Sequence, residues 1–221
     1  MPENLRLTMD FLRDLRQNNN KAWFEANRQR YEAARGALED FVTDVIFNFG
    51  QIDDLGQLTA KDCMFRINRD VRFSADKSPY KTSMGALIGR EGRKTTGRHY
   101  YINLDPEGDT FLGGGAYMPT SAQLHRIRQR LAEDSKPLKK IIENPDFVKY
   151  FGSIRGEKLK TAPQGFPKDH PDLDLLRFKQ YLALHPLSEE QLYSPDFRDH
   201  VLTVFKAYKP FIVYIVEAMG E

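Results

Sequence analysis

Between Lys61 and Arg98 stand ten basic residues against four acidic ones, and three of the ten, Arg66, Arg69 and Arg72, recur every third position in the run Phe65-Arg66-Ile67-Asn68-Arg69-Asp70-Val71-Arg72-Phe73. A guanidinium is a planar fork of donors that fits phosphate or carboxylate, and Asp70 can hold one of these arginines in place by a bidentate pair. The next stretch, Ser74-Ala75-Asp76-Lys77-Ser78-Pro79-Tyr80-Lys81-Thr82-Ser83, supplies hydroxyls, two lysines and a tyrosine in a turn fixed by Pro79. Together Arg66, Arg69, Asp70, Arg72, Ser74, Lys77, Tyr80 and Lys81 form a candidate anion-binding set. The expected partner is a phosphate-bearing small molecule. A nucleoside triphosphatase is disfavoured, because the glycine framework and final Gly-Lys-Ser/Thr of a P-loop are missing.

A second anion-friendly feature is Gly113-Gly114-Gly115-Ala116-Tyr117-Met118-Pro119, expected at a strand-to-helix turn. Glycines let backbone approach a ligand closely, and a helix N-terminus offers unsatisfied N–H groups. Gly114, Gly115 and Tyr117 therefore join the set, although a tight turn would need such glycines for its own sake. His170, in Pro167-Lys168-Asp169-His170-Pro171, is the one histidine carried as a site residue; capping by the neighbouring acids explains it equally well. The five histidines show no His-x-His or His-x-x-x-His spacing, so no metal and no cofactor are expected. Cys63 reads as packing. No catalytic residue is assigned.

These groups must be carried by elements. Phe11, Leu12 and Leu15 predict a helix that stops at Asn18-Asn19-Asn20, with Asn20 capping a second one that runs to about Phe49. Alternation predicts strands over Met64 to Ser74, Arg98 to Asp105 and Thr110 to Ala116, with a shorter one near Gly85 to Arg90. In the first, Phe65, Ile67, Val71 and Phe73 share one face, and Arg66, Asn68, Asp70 and Arg72 the other. Arg69 breaks that pattern, which predicts a bulge or a strand end at Arg69-Asp70. Thr120 or Ser121 opens a helix, short helices follow near 138–143 and 146–151, and residues 155–171 form a connecting loop. Ser194-Pro195-Asp196 opens a last helix that Pro210 should kink.

Helices, then an antiparallel meander, then helices means α+β. The expectation is one domain over 1–221: helical in 1–56, β-rich in 60–117 and helical in 120–221, with a central antiparallel sheet of about four strands. With 40% hydrophobic and 12% aromatic residues the chain has ample core material. No apolar run reaches the roughly 18 residues of a membrane span, and one cysteine agrees with a reducing compartment; a cytoplasmic protein without membrane contact is expected. The net charge of +2 conceals strong local polarity, because the segment 61–98 is basic while the remainder is acidic.

Three blocks resemble the uncharacterised family known as domain of unknown function 2461. They are Asn18-Asn19-Asn20-Lys21-Ala22-Trp23-Phe24-Glu25 with Asn27, Arg28 and Tyr31; Phe65 to Phe73 continuing to Asp76-Lys77-Ser78-Pro79-Tyr80-Lys81-Thr82; and Phe111-Leu112-Gly113-Gly114-Gly115 with Tyr117, Met118 and Pro119. A fourth, Pro163-Gln164-Gly165-Phe166 with Asp169-His170-Pro171, departs from the pattern at Gln164 and Phe166. The resemblance covers nearly the whole chain and implies that these polar blocks belong to one recurring design. It brings no activity with it.

Two other readings stand beside the small phosphate-bearing ligand. One is a nucleic-acid binding module in which basic strands and Tyr80, Tyr100 or Tyr101 offer phosphate contacts and stacking faces. The other is a non-catalytic partner-binding protein whose arginines are structural pairs. A narrow cluster of cations suits a small ligand, whereas an open sheet face suits a polymer. The oligomeric state is left open.

Overall fold

The computed structural model describes residues 5–220, so residues 1–4 and 221 of the expected 1–221 domain lie outside the described residues. Helices α1 (Leu5–Gln17), α2 (Lys21–Ala26), α3 (Arg28–Phe49) and α4 (Ala60–Cys63) precede strands β1 (Met84–Gly89), β2 (His99–Leu104) and β3 (Phe111–Ala116). Helices α5 (Ser121–Glu133), α6 (Lys136–Ile142), α7 (Pro145–Phe151) and α8 (Leu173–Leu176) lead to β4 (Tyr181–Pro186), and α9 (Glu189–Leu192) and α10 (Phe197–Met219) complete the chain. The four strands pair in the order β1-β2-β3-β4 as an antiparallel sheet, and the fold is α+β.

Two compact units divide the chain: residues 1–95, 100–112 and 186–203 form the first, and residues 96–99, 113–185 and 204–221 the second. In the first, Leu5, Met9, Leu12 and Leu15 put an apolar stripe on one side of α1, and all are buried. The α3 stripe of Ala34, Leu38, Phe41, Val42, Val45 and Phe49 is buried too. Phe49 meets Tyr100 edge-on at 4.6 Å, and Phe41 stacks on Phe197 at 5.1 Å. Each such side chain taken wholly out of water contributes about 1.5–3 kcal/mol. The core of the second unit gathers Phe147, Phe151, Tyr208 and Phe211 in a chain of ring contacts between 5.1 and 5.9 Å.

The helix expected from Asn20 to Phe49 is broken at Asn27. That residue leaves helical geometry at φ −111° and ψ 19°, and its side-chain Nδ2 donates to the Trp23 carbonyl at 2.9 Å. Asparagine offers its own hydrogen bonds in competition with the helix, which is why two helices form where periodicity alone suggested one. The C-terminal helix runs unbroken through Pro210.

The strand expected over Met64 to Ser74 does not form. Met64 bridges Ala86 and Asn68 bridges Tyr80, so four residues on one side run against six on the other. The mismatch is a bulge in the opposing segment, and it denies residues 64–69 a regular ladder. Pairing stops at Arg69, whose N–H reaches the Pro79 carbonyl at 2.9 Å, and residues 70–78 are loop. The fourth strand is β4 instead. Its other flank is covered by residues 155–158, where Arg155 and Leu182 exchange both backbone bonds at 2.7 and 3.0 Å. The sheet thus has an irregular segment along each outer strand, which shields edges that would otherwise pair with another chain.

Candidate functional site

The first sequence block shapes the second. Asn20 caps α2 by accepting from the Trp23 N–H at 3.0 Å. Asn19 then turns toward residue 80: its Nδ2 donates to the Tyr80 carbonyl at 2.9 Å, and its Oδ1 accepts from the Tyr80 N–H at 3.1 Å. One side-chain amide so serves residue 80 as a neighbouring strand would. The Tyr80 ring is buried and stacks on Phe24, with centroids 4.0 Å apart and planes inclined by 14°. Burial pushes its phenol pKa up. Tyr80 is therefore a packing residue, withdrawn from any ligand because its ring completes the contact between α2 and the sheet flank.

Arg16 grips the same flank from α1. Its Nη2 donates to Thr82 Oγ1 at 3.2 Å and to Asp105 Oδ1 at 3.0 Å. With the Lys81 N–H donating to the Ile67 carbonyl at 2.8 Å, three consecutive residues, 80 to 82, are each tied by a hydrogen bond. Lys81 projects from this clamped segment.

The arginines do not converge on one cavity. Arg69 pairs with Asp76, and its other donors reach Ser74 Oγ at 3.3 Å and the Ser78 carbonyl at 3.4 Å. Arg72 forms a bidentate pair with Asp70 at 3.0 and 2.7 Å, with both side chains in solvent. Lys77 donates to the Val71 carbonyl at 3.0 Å. Both arginines of the loop are thus paired from within: Ser74 is a partner of Arg69, and Asp70 and Asp76 supply the negative charge an external anion would bring. Hydrogen bonds from Ser78, with Arg69 beside them, hold the Asp76 carboxyl well below the usual range. The Arg72 guanidinium does the same for Asp70, with a smaller contribution from the field of Arg66.

Arg66 and Lys81 remain. Neither forms an ion pair with a carboxylate among the described residues, and they lie close enough that Arg66 adds to the effect of burial in lowering the Lys81 pKa. The Lys81 ammonium sits 5.5 Å from the centroid of Phe65. Phe65 meets Tyr101 edge-on at 6.0 Å, and Tyr101 lies 5.7 Å from Phe111. Phe65 is 37% exposed, and Tyr101 and Phe111 are half-buried. Glycine at 85 admits this row, since a Cβ there would stand 2.5 Å from the Tyr101 hydroxyl. Three partly open rings with Arg66 and Lys81 at one end form the candidate site. Tyr100, which shares the strand with Tyr101, faces the other way; its hydroxyl donates to the buried Asp53 at 2.5 Å.

The remaining candidates belong to the second unit. Gly114 and Gly115 lie inside β3 rather than at a turn into a helix, and β3 is an inner strand whose amides serve the ladder. Gly113 and Gly115 have φ of 134° and 132°, and a Cβ on either would fall 2.0 or 2.1 Å from the carbonyl oxygens of Ala183 and Tyr181. The third, Gly114, leaves room for His99 and Tyr208. These glycines are required by strand contact, so they give no anion loop. Tyr117 follows the strand and is exposed. His170 Nδ1 accepts from the Asp172 N–H at 3.0 Å, which places the ring proton on Nε2, facing the Ala132 carbonyl at 3.3 Å. It braces the loop before α8. Asp172, held low by Lys139 and Ser135, is its neighbour in place of the expected Asp169.

Sequence reasoning placed Arg66, Lys81 and Tyr101 in its readings but missed Phe65 and Phe111 as ring surfaces. The sequence puts Phe65 on one strand face with Ile67, Val71 and Phe73; the signal available was its place beside Arg66 at the start of an alternating run. Among the described residues no group of three or more His, Cys, Asp or Glu could hold a metal ion, and no helix is long and apolar enough to cross a membrane.

No curated protein and no solved structure matches the chain. A family model does match, over residues 7–214, and the chain belongs to the family it describes, the conserved hypothetical proteins of domain of unknown function 2461.

Proposed function

We propose that the chain binds single-stranded nucleic acid across the Phe65–Tyr101–Phe111 face. The observation that carries this reading is the row of three rings, partly open, with Arg66 and Lys81 at one end and in no carboxylate ion pair among the described residues. Every base has a π-face, so aromatic rings on a sheet accept successive bases with little regard to sequence, at about 1–3 kcal/mol per stacked base. Two neighbouring cations repel one another, and a phosphate between them would remove that cost. An open face favours a polymer over a small phosphorylated ligand, which calls for a concave pocket. Arg69 and Arg72, the other cations a small-ligand pocket would need, are already paired with Asp76 and Asp70.

The test is fluorescence anisotropy with a labelled oligothymidylate at about 50 mM salt and above. Binding should weaken with salt, and the Arg66→Ala, Lys81→Ala double variant should lower the slope by about 1.4, two single-strand phosphate contacts. Tyr101→Ala should weaken binding at every salt concentration. Absence of any anisotropy change at the lowest salt would overturn the reading. Equal affinity for a mononucleotide and the oligomer would return it to a small phosphate-bearing ligand.

A further inference from the structure

Lys81 differs from a lysine that merely attracts phosphate. It stands between two anchored residues, Tyr80, whose backbone is held by Asn19, and Thr82, whose side-chain hydroxyl accepts from Arg16. Its amine is half-buried against the Phe65 ring, next to Arg66, with no carboxylate ion pair among the described residues. Lys158 and Lys179, by contrast, are neutralised by Asp174 and Glu157. A lysine partly removed from water beside another cation is the arrangement that yields a nucleophilic amine.

We infer that Lys81 captures an aldehyde carried by the bound strand, namely the open-chain sugar left where a base has been lost. This inference rests on the nucleic-acid reading of the same face. Bases on either side of the gap would stack on the ring row, the adjoining phosphate would meet Arg66, and the exposed C1′ aldehyde would lie at Lys81. The ammonium first gives a proton to water. The free amine's lone pair then attacks the aldehyde carbon, a C–N bond forms, and the carbonyl oxygen leaves as water with the two remaining amine protons. The product is an imine; no oxidant or reductant takes part, and water reverses the step. Burial and the neighbouring Arg66 both lower the Lys81 pKa, which enlarges the fraction of free amine.

The experiment incubates the full chain with a single-stranded oligonucleotide bearing one abasic site, with and without borohydride, which reduces the imine to a stable secondary amine. Denaturing gels and peptide mass analysis read the product. The expected result is a borohydride-dependent adduct that peptide mass analysis places on Lys81 and that is lost in Lys81→Arg. Adducts spread evenly over exposed lysines such as Lys94 and Lys168 would overturn the inference. So would binding of both oligonucleotides with no adduct, and in that case nucleic-acid binding stands. If neither oligonucleotide binds, both readings fall together.

Discussion

The side-chain amide of Asn19 pairs with both backbone groups of Tyr80, donating at 2.9 Å and accepting at 3.1 Å. This places α1 and α2 in control of the segment that carries Lys81. Asn19→Ala leaves a donor and an acceptor on residue 80 without protein partners and should cost about 1–3 kcal/mol, read as a lower midpoint in urea with an unchanged slope. Asn19→Asp keeps the acceptor but sets a carboxylate oxygen against the Tyr80 carbonyl in place of the donor, so it should be no better tolerated.

Gly113→Ala should be among the most damaging single changes in the second unit. The added methyl would overlap the Ala183 carbonyl and would also have to accept φ of 134°. A destabilisation above about 4 kcal/mol is expected, with loss of β4 pairing, measured by thermal unfolding and by amide exchange at Tyr181 and Ala183, which face β3. Gly108→Ala is the control, since open space surrounds that site, although its φ of 125° carries a cost of its own.

Lys81 should make folding depend on alkaline pH. Its pKa is lower in the native state, so the ammonium is disfavoured by folding; that penalty is complete below the native pKa and disappears as pH rises to the unfolded value near about 10.4. Lys81→Met carries no such titration. The variant should therefore melt at or above the temperature of the parent at neutral pH, with the difference closing as pH climbs through that window.

Asp76 gives the opposite sign. Its native pKa is depressed by Ser78 and Arg69, so its contribution is present above the unfolded carboxylate value and is lost as pH falls toward the native one. Because the side chain is exposed, Asp76→Asn should leave the global melt nearly unchanged and speed amide exchange within residues 70–78. Phe73, 97% exposed in that loop, would report the change in a local fluorine label.

Cys63 is buried, and burial pushes its thiol up to about 12. At pH 8 the thiolate fraction is about one part in ten thousand, so a disulfide reagent should leave the native chain unmodified and react fully only once it is unfolded in denaturant.

Local chemistry made much of the architecture legible. The first helix through Phe11, Leu12 and Leu15, the Asn20 and Thr120 caps, and strands β1 to β3 all follow from periodicity and capping that neighbouring residues settle among themselves. β4 was hidden because Leu182, Ala183 and Leu184 are good helix formers; their extended state comes from pairing with distant Gly113 and Gly115. The Met64–Phe73 run showed strand alternation yet met a partner with two residues too many.

Charge was the feature that only tertiary structure could apportion. The sequence alone established that arginines and lysines are concentrated between Lys61 and Arg98 and that the fold is helical at its ends with strands between. Whether a cation is spoken for depends on which carboxylate a loop brings within reach, and a turn at Asp76 and Ser78 brought one to Arg69 while none among the described residues pairs with Lys81. Coulomb energy falls with distance through space, to which spacing along the chain is a poor guide once the backbone turns.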